Sequence, residues 1–215
     1  MKLISINIGL PRVIKKRGQT ITTSIFKLPV AGRVRVNRLN VAGDQQSDLT
    51  VHGGVDKAVY VYPSEHYAFW HAELPDGDFP WGAFGENFTT EGLLEDAVHI
   101  GDRLRIGSAE FTVTQPRMPC FKLALRFDRP DMVKRFLLSG RSGFYLRVTQ
   151  AGDVAADDIV TYIGHDADRI SVADIFRLYT ADDADPNVLR RASELPSLAH
   201  GWREHFRHRL AEPDD

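Results

Sequence analysis

The sequence predicts a mainly β protein with a small helical extension: a sheet closed into a barrel or folded into a sandwich over residues 1–165, then a three-helix unit over residues 166–215. Three observations carry this. Sixteen of the 17 glycines precede residue 165 and only Gly201 follows it. Before that point, short β-branched or alternating segments recur between Gly, Pro and Asp; after it, the apolar period shifts from two toward 3.6. Charge shifts as well: residues 166–215 hold 7 basic and 11 acidic side chains, net −4, against 20 and 18, net +2, before them.

Seven strands are expected, at Lys2–Ile8, Val34–Val41, Ala58–Tyr62, Arg103–Ile106, Ala109–Gln115, Gly143–Gln150 and Asp158–Ile163. Two helices interrupt them. Ser64 is placed to cap one that runs through Tyr67, Phe69 and Trp70, and Pro130 followed by DMVKRFLLSG starts another that stops at Gly140. In the tail, Ser171 opens a helix with Val172, Ile175, Phe176 and Tyr179 on one face. Asp185–Pro186 opens a second, and Ser197 a third with Leu198, Trp202, Phe206 and Leu210 spaced by four. About 45 residues hold little core by themselves, so this unit is expected to dock on the β part or on a second subunit, which makes a homodimer an expectation.

Composition narrows the function classes. With 43% hydrophobic and 26% charged residues, the chain is not a disordered one. It has no apolar run approaching the roughly 18 residues of a membrane span, and its start lacks a secretory signal, so a cytoplasmic protein is expected. A formal net charge of −2 argues against a nucleic-acid partner. A single cysteine, Cys120, excludes an internal disulfide and a multi-thiolate zinc site. The GxSxG elbow, the GxxxxGK[ST] loop, HExxH and GxGxxG are absent, and the scattered histidines show no metal-ligand spacing.

Five segments are richer in polar and glycine residues than folding requires. In GDQQSDLTVHGGVDKAVYVY, residues 43–62, His52, Gly53, Gly54 and Lys57 precede a strand, and such a loop brings backbone N–H groups and a cation to an anion. WGAFGENFTTEG, residues 81–92, offers Glu86 and Asn87 to a pocket rim. VTQPRMPCFKLALR, residues 113–126, is the most informative: two prolines stiffen the turn that carries Cys120, with Arg117 and Lys122 beside it. The thiol therefore sits in an electropositive setting, and thiolate is the form that attacks or ligates soft metals. In LSGRSGFYLRV, residues 138–148, Arg141 on a glycine turn suits a bidentate contact with phosphate. LEDAVHIGDRLRIG, residues 94–107, reads as a structural hairpin.

The ordered set D-x-Q-x-D, HGG, DKAVY, GAFGEN, IGD, QPRMPC-x-KL and SGRSGFY resembles the MOSC family, named for the C-terminal domain of molybdenum-cofactor sulfurases, and within it the small stand-alone bacterial YiiM type. The resemblance covers nearly the whole chain. It implies a MOSC-like β-barrel over residues 1–165 that binds the cofactor, and the YiiM-type three-helix extension over 166–215. It further implies a molybdenum cofactor, a molybdopterin carrying Mo, with the metal on Cys120. The cofactor is then expected to lie among His52, Gly53, Gly54, Lys57, Asn87, Arg117 and Arg141, with Glu86 a further candidate. The activity expected is reduction of an N-hydroxylated compound, such as 6-N-hydroxylaminopurine, to the amine. No flavin, haem or iron–sulfur signature is present, so a separate electron-donor reductase is expected. The alternative is a non-catalytic protein that binds the cofactor or carries sulfur on Cys120. A cysteine hydrolase using His52 as base is a more distant one.

Overall fold

The computed structural model describes residues 1–16, 18–47, 53–181 and 183–211. Among these, twelve strands form: β1 (Lys2–Ile8), β2 (Arg12–Lys16), β3 (Gln19–Thr23), β4 (Leu28–Val30), β5 (Val34–Val36), β6 (Val59–Pro63), β7 (Phe88–Glu91), β8 (Arg103–Ile106), β9 (Ala109–Pro116), β10 (Phe144–Gln150), β11 (Gly152–Val154) and β12 (Val160–Gly164). Six α-helices accompany them: α1 (Glu65–Glu73), α2 (Phe121–Arg126), α3 (Met132–Ser139), α4 (Val172–Thr180), α5 (Pro186–Glu194) and α6 (His200–Ala211).

Eight strands make the main sheet, in the order β12-β8-β9-β10-β6-β7-β1-β4. All neighbours are antiparallel except β6 and β7, which run parallel. The expected barrel is corrected here: the sheet is not closed. Closure would need β12 to pair along the free edge of β1, but β4 takes the C-terminal half of that edge, with Ile6–Ile8 opposite Leu28–Val30. The two ends meet only briefly, through the bridge between Lys2 and Ile159 and the bonds Leu3 N to Asp158 O, Asp157 N to Leu3 O and Val160 N to Met1 O, so β12 takes part through its first residue alone.

Several expected elements form at other bounds. The strand expected over Val34–Val41 ends at Val36, because Asn37 N bonds Asn40 O at 2.8 Å and turns the chain, so that Val41 returns to Val36 by one bridge. Helix α1 forms without the expected cap: Ser64 is itself helical and makes no side-chain cap bond. Helix α3 stops where expected, on Gly140 at φ 66°. In the tail, Ser171 and Asp174 make a reciprocal capping box, and Asp185 accepts from Asn187 N ahead of Pro186. The third tail helix starts at His200, since the hydroxyl of Ser197 is bonded to Asp166.

Two apolar clusters hold the fold together. The larger runs from the sheet into the tail, with Val113, Leu146 and Phe88 in one cluster with Leu178, Trp202 and Phe206. The helical unit thus shares the sheet's core. Backbone bonds fix its position: Val172 N to Val98 O at 2.9 Å, Ile100 N to Ile170 O at 3.0 Å and Ala199 N to Thr114 O at 3.3 Å. The smaller cluster is aromatic and gathers Tyr60, Tyr62, Tyr67, Trp70, Phe84 and Phe136 where α1 and α3 meet β6. Among the described residues no helix is long and apolar enough to cross a membrane.

Candidate functional site

The site is built on one row of the sheet. Strand register places Gln115 of β9 opposite Tyr145 of β10, and Tyr145 opposite Tyr60 of β6. The row continues through Asn87, whose N–H bonds Tyr60 O at 2.8 Å, and into Asn7 of β1, whose N–H bonds Asn87 O at 2.7 Å. Here β9 ends on Pro116, and the chain turns through Arg117 and Met118 to Cys120, the residue before α2. Pro116 and Pro119 fix backbone torsions, so the turn presents Cys120 at a defined place. Cys120 is partly exposed.

Two spaces meet at this thiol. A cavity of about 100 Å³ is lined by Ser24, Lys27, Asp44, Lys57, Tyr60, Asn87, Arg117, Cys120, Lys122 and Tyr145, among others. A wider cleft of about 740 Å³ lies between the sheet and the helical unit, bordered by Gly53, Gly54, Gln115, Pro119, Trp202 and others. Lys57, Met118, Cys120 and Tyr145 border both.

Among the described residues the cavity is electropositive: Lys27, Lys57, Arg117 and Lys122 line it against one carboxylate, Asp44. That carboxylate is already engaged, accepting from Lys27 Nζ, Gly9 N at 2.8 Å and Asn87 Nδ2 at 2.9 Å. Burial pushes Lys27 below the ordinary lysine range, and its attraction to Asp44 partly offsets this. Burial likewise lowers Lys57, offset in part by Asp56. Arg147 clamps Asp56 through Nε at 2.7 Å, and Thr114 Oγ1 donates to Asp56 O at 2.7 Å, so the short 3₁₀ turn Val55–Lys57 is held in place.

Arg117 is the unusual member. It is 5% exposed, and its guanidinium lies 5.1 Å from the ring centre of Tyr60 and 5.0 Å from that of Phe136. Its Nη1 is buried with no hydrogen-bond partner among the described residues, and so is Ser24 Oγ. Native proteins rarely leave such donors unmet, since each costs about 1–3 kcal/mol. Burial also pushes the Tyr60 and Tyr145 hydroxyls up, with Arg117 partly offsetting it, so both phenols keep their protons.

The expected site residues separate into groups. Cys120, Arg117, Lys57 and Asn87 come together at the cavity, and Gly53 and Gly54 border the cleft. Asn87 is already committed to Asp44, Asn7 O and Tyr60 N. His52 lies outside the described residues. Arg141 borders neither space: its guanidinium sits 3.8 Å over the ring of Phe69 and donates to Ser139 O. In that SGRSG segment the glycine matters more. At Gly143, φ is 61° and a Cβ would stand 2.4 Å from Val61 O, while Gly143 O holds Arg117 N at 3.2 Å.

Glu86 is placed differently from expectation. Fully buried, it accepts from Tyr67 Oη, Gly82 N at 2.8 Å, Phe84 N at 3.1 Å and Thr89 Oγ1 at 2.9 Å. Burial pushes its pKa up while the bond from Tyr67 and the others pull it down. It staples the loop and borders neither space.

Sequence reasoning missed Ser24, Lys27, Tyr60, Tyr145 and the helical side of the cleft. Tyr60 and Tyr145 were legible only as strand residues; their pairing depends on register between strands more than 80 residues apart. Lys27 carried no signal, because its partner Asp44 is distant in sequence.

The molybdenum cofactor fits these residues. A pterin bearing a phosphate needs donors and cations, and the cavity holds two unmet donors and four basic side chains. Among the described residues no three His, Cys, Asp or Glu gather as a metal site. A thiol is a suitable ligand for a soft metal that arrives with sulfur ligands of its own.

Comparison with known proteins places the chain in a family. The family model for the MOSC domain matches residues 48–161, and that for the YiiM-like, 3-alpha helix domain matches residues 170–212. Bacillus subtilis YflK is 39% identical over 95% of this chain and 92% of its own length. A Gibberella moniliformis protein named Reductase is 34% identical over 83% of this chain but only 32% of its own. The crystal structure of YiiM from Geobacillus stearothermophilus superposes with a TM-score of 0.83 at 36% identity, covering 98% of this chain and 99% of that one. With sequence, site and fold in agreement, the chain belongs to the MOSC domain family and carries the YiiM-like three-helix domain.

Proposed function

We propose that this protein binds a molybdenum cofactor at Cys120 and Arg117 and reduces N-hydroxylated compounds, such as a hydroxylaminopurine, to the amine. The observation that carries this reading is the position of Cys120 between a cation-lined cavity with an unmet Arg117 donor and a cleft wide enough for a second molecule. Family membership and the relative named a reductase support it.

The cofactor, when bound, supplies two-electron chemistry that no side chain of this chain offers. Cys120 Sγ would hold the metal. Arg117 Nη1, Ser24 Oγ, Lys27 Nζ and Lys122 Nζ offer donors to the phosphate and pterin edges. Lys57 borders both spaces, and burial already weakens its hold on its proton, so its Nζ is suited to protonate the departing hydroxyl. In sum, the N–OH compound takes two electrons and two protons and leaves as amine and water, the electrons coming from a separate reductase.

The test is cofactor-loaded protein given a hydroxylaminopurine and a reduced viologen dye, with the aminopurine followed by chromatography. Turnover that Cys120→Ser abolishes is expected. No product from fully loaded protein overturns the reductase reading in favour of a cofactor- or sulfur-carrying role for Cys120.

A further inference from the structure

The cleft has two unlike walls. On the sheet side stand Gly53, Gly54, Gln115, Met118 and Pro119; on the helical side stand three rings, Tyr179 of α4 with Trp202 and His205 of α6. The rings form one group, with Tyr179 4.8 Å from Trp202 and 4.6 Å from His205 between ring centres. Tyr179 is 40% exposed although it sits beside two other rings, so its open side is available to a ligand. Cys120 borders the same cleft.

A second observation concerns Gly201, the residue before Trp202. It lies in the first turn of α6 with an ordinary φ, so no backbone strain requires glycine there, and glycine weakens helices. A Cβ at this position meets no atom within 4 Å, and Gly201 borders the cleft. A larger residue therefore has room at the border of the cleft without displacing the fold.

We propose that the three-helix unit supplies the wall that selects the substrate: Tyr179, backed by the buried ring of Trp202 and flanked by His205, stacks on a flat, π-rich molecule whose reacting end points toward Cys120. A heteroaromatic base presents a face to the exposed ring of Tyr179, whereas an aliphatic molecule of similar size gains nothing from it. The identity of the reacting N–OH group rests on the reductase reading above; the preference for a flat ring does not.

The experiment is calorimetric titration of the full chain with two probes, a hydroxylaminopurine and N-cyclohexylhydroxylamine. Tyr179→Leu removes a stacking face, and Gly201→Leu adds bulk at the border of the cleft; thermal denaturation confirms that both fold. Purine affinity is expected to fall about tenfold in Tyr179→Leu, the scale of one base–aromatic stack, and at least as far in Gly201→Leu. Binding of the aliphatic probe is expected to be insensitive to Tyr179→Leu. Equal purine affinity in native and variant proteins, or an equal loss for both probes in Tyr179→Leu, overturns the proposal. Ring-dependent binding without turnover in loaded protein supports the wall while overturning the reductase reading.

Discussion

The loop 82–87 and the turn 116–120 look alike as sequences, each mixing turn-forming residues with polar ones, yet they serve opposite ends. In the first, Glu86 is buried and accepts from two backbone amides and two hydroxyls. In the second, Arg117 is buried almost as deeply, but its Nη1 has no hydrogen-bond partner among the described residues. A buried charge whose partners are all internal belongs to the fold; one left with an unmet donor beside a cavity is held for something that binds.

The contrast is tested most severely by removing each charge. Glu86→Ala strands two amides and two hydroxyls, and a loss of roughly 3–5 kcal/mol in chemical denaturation is expected. Arg117→Met removes a group that lacks a full set of partners, and its stability should stay within about 1 kcal/mol of native, or rise. The same variant should lose phosphate binding at the cavity. Comparable destabilisation by both substitutions would erase the distinction.

Lys57 sharpens the functional half. An anion binds its charged form, so affinity for inorganic phosphate should fall as pH rises through its pKa. Because burial lowers that pKa, the fall should begin below the ordinary lysine value of 10.5. In Lys57→Met that limb should shrink to the part carried by Lys27, which burial also lowers, and affinity at neutral pH drop by roughly fivefold, about 1 kcal/mol. The smallest effect is expected at Gly201→Ala, where relief of the glycine should raise stability by about 0.5 kcal/mol, read as a higher urea midpoint at unchanged slope.

How much of this was legible follows from the range of the interactions. The tail helices were readable because Ser171, Asp174, Asp185 and Pro186 act within one turn. Cys120 was readable because prolines and cations flank it directly. Strand β7 was not, since FTTE reads as a polar loop; Thr89 and Thr90 are buried only because β6 and β1 close over them. The exposed hairpin β2–β3 showed no alternation strong enough to announce itself. The open sheet was equally hidden, because it depends on β4 occupying half of an edge that β12 would otherwise share. Arg141 and Arg117 both sit beside turn formers, and only tertiary packing separates the one that stacks on Phe69 at the surface from the one at the cavity.

The central claim is that Cys120 and Arg117 form a molybdenum-cofactor site, and metal analysis tests it directly. Protein from a cofactor-competent host should carry near-stoichiometric molybdenum, lost in both Cys120→Ser and Arg117→Met while their melting curves remain close to native. Equal molybdenum in native and variant proteins, or none in the native chain after loading with isolated cofactor, would contradict the account.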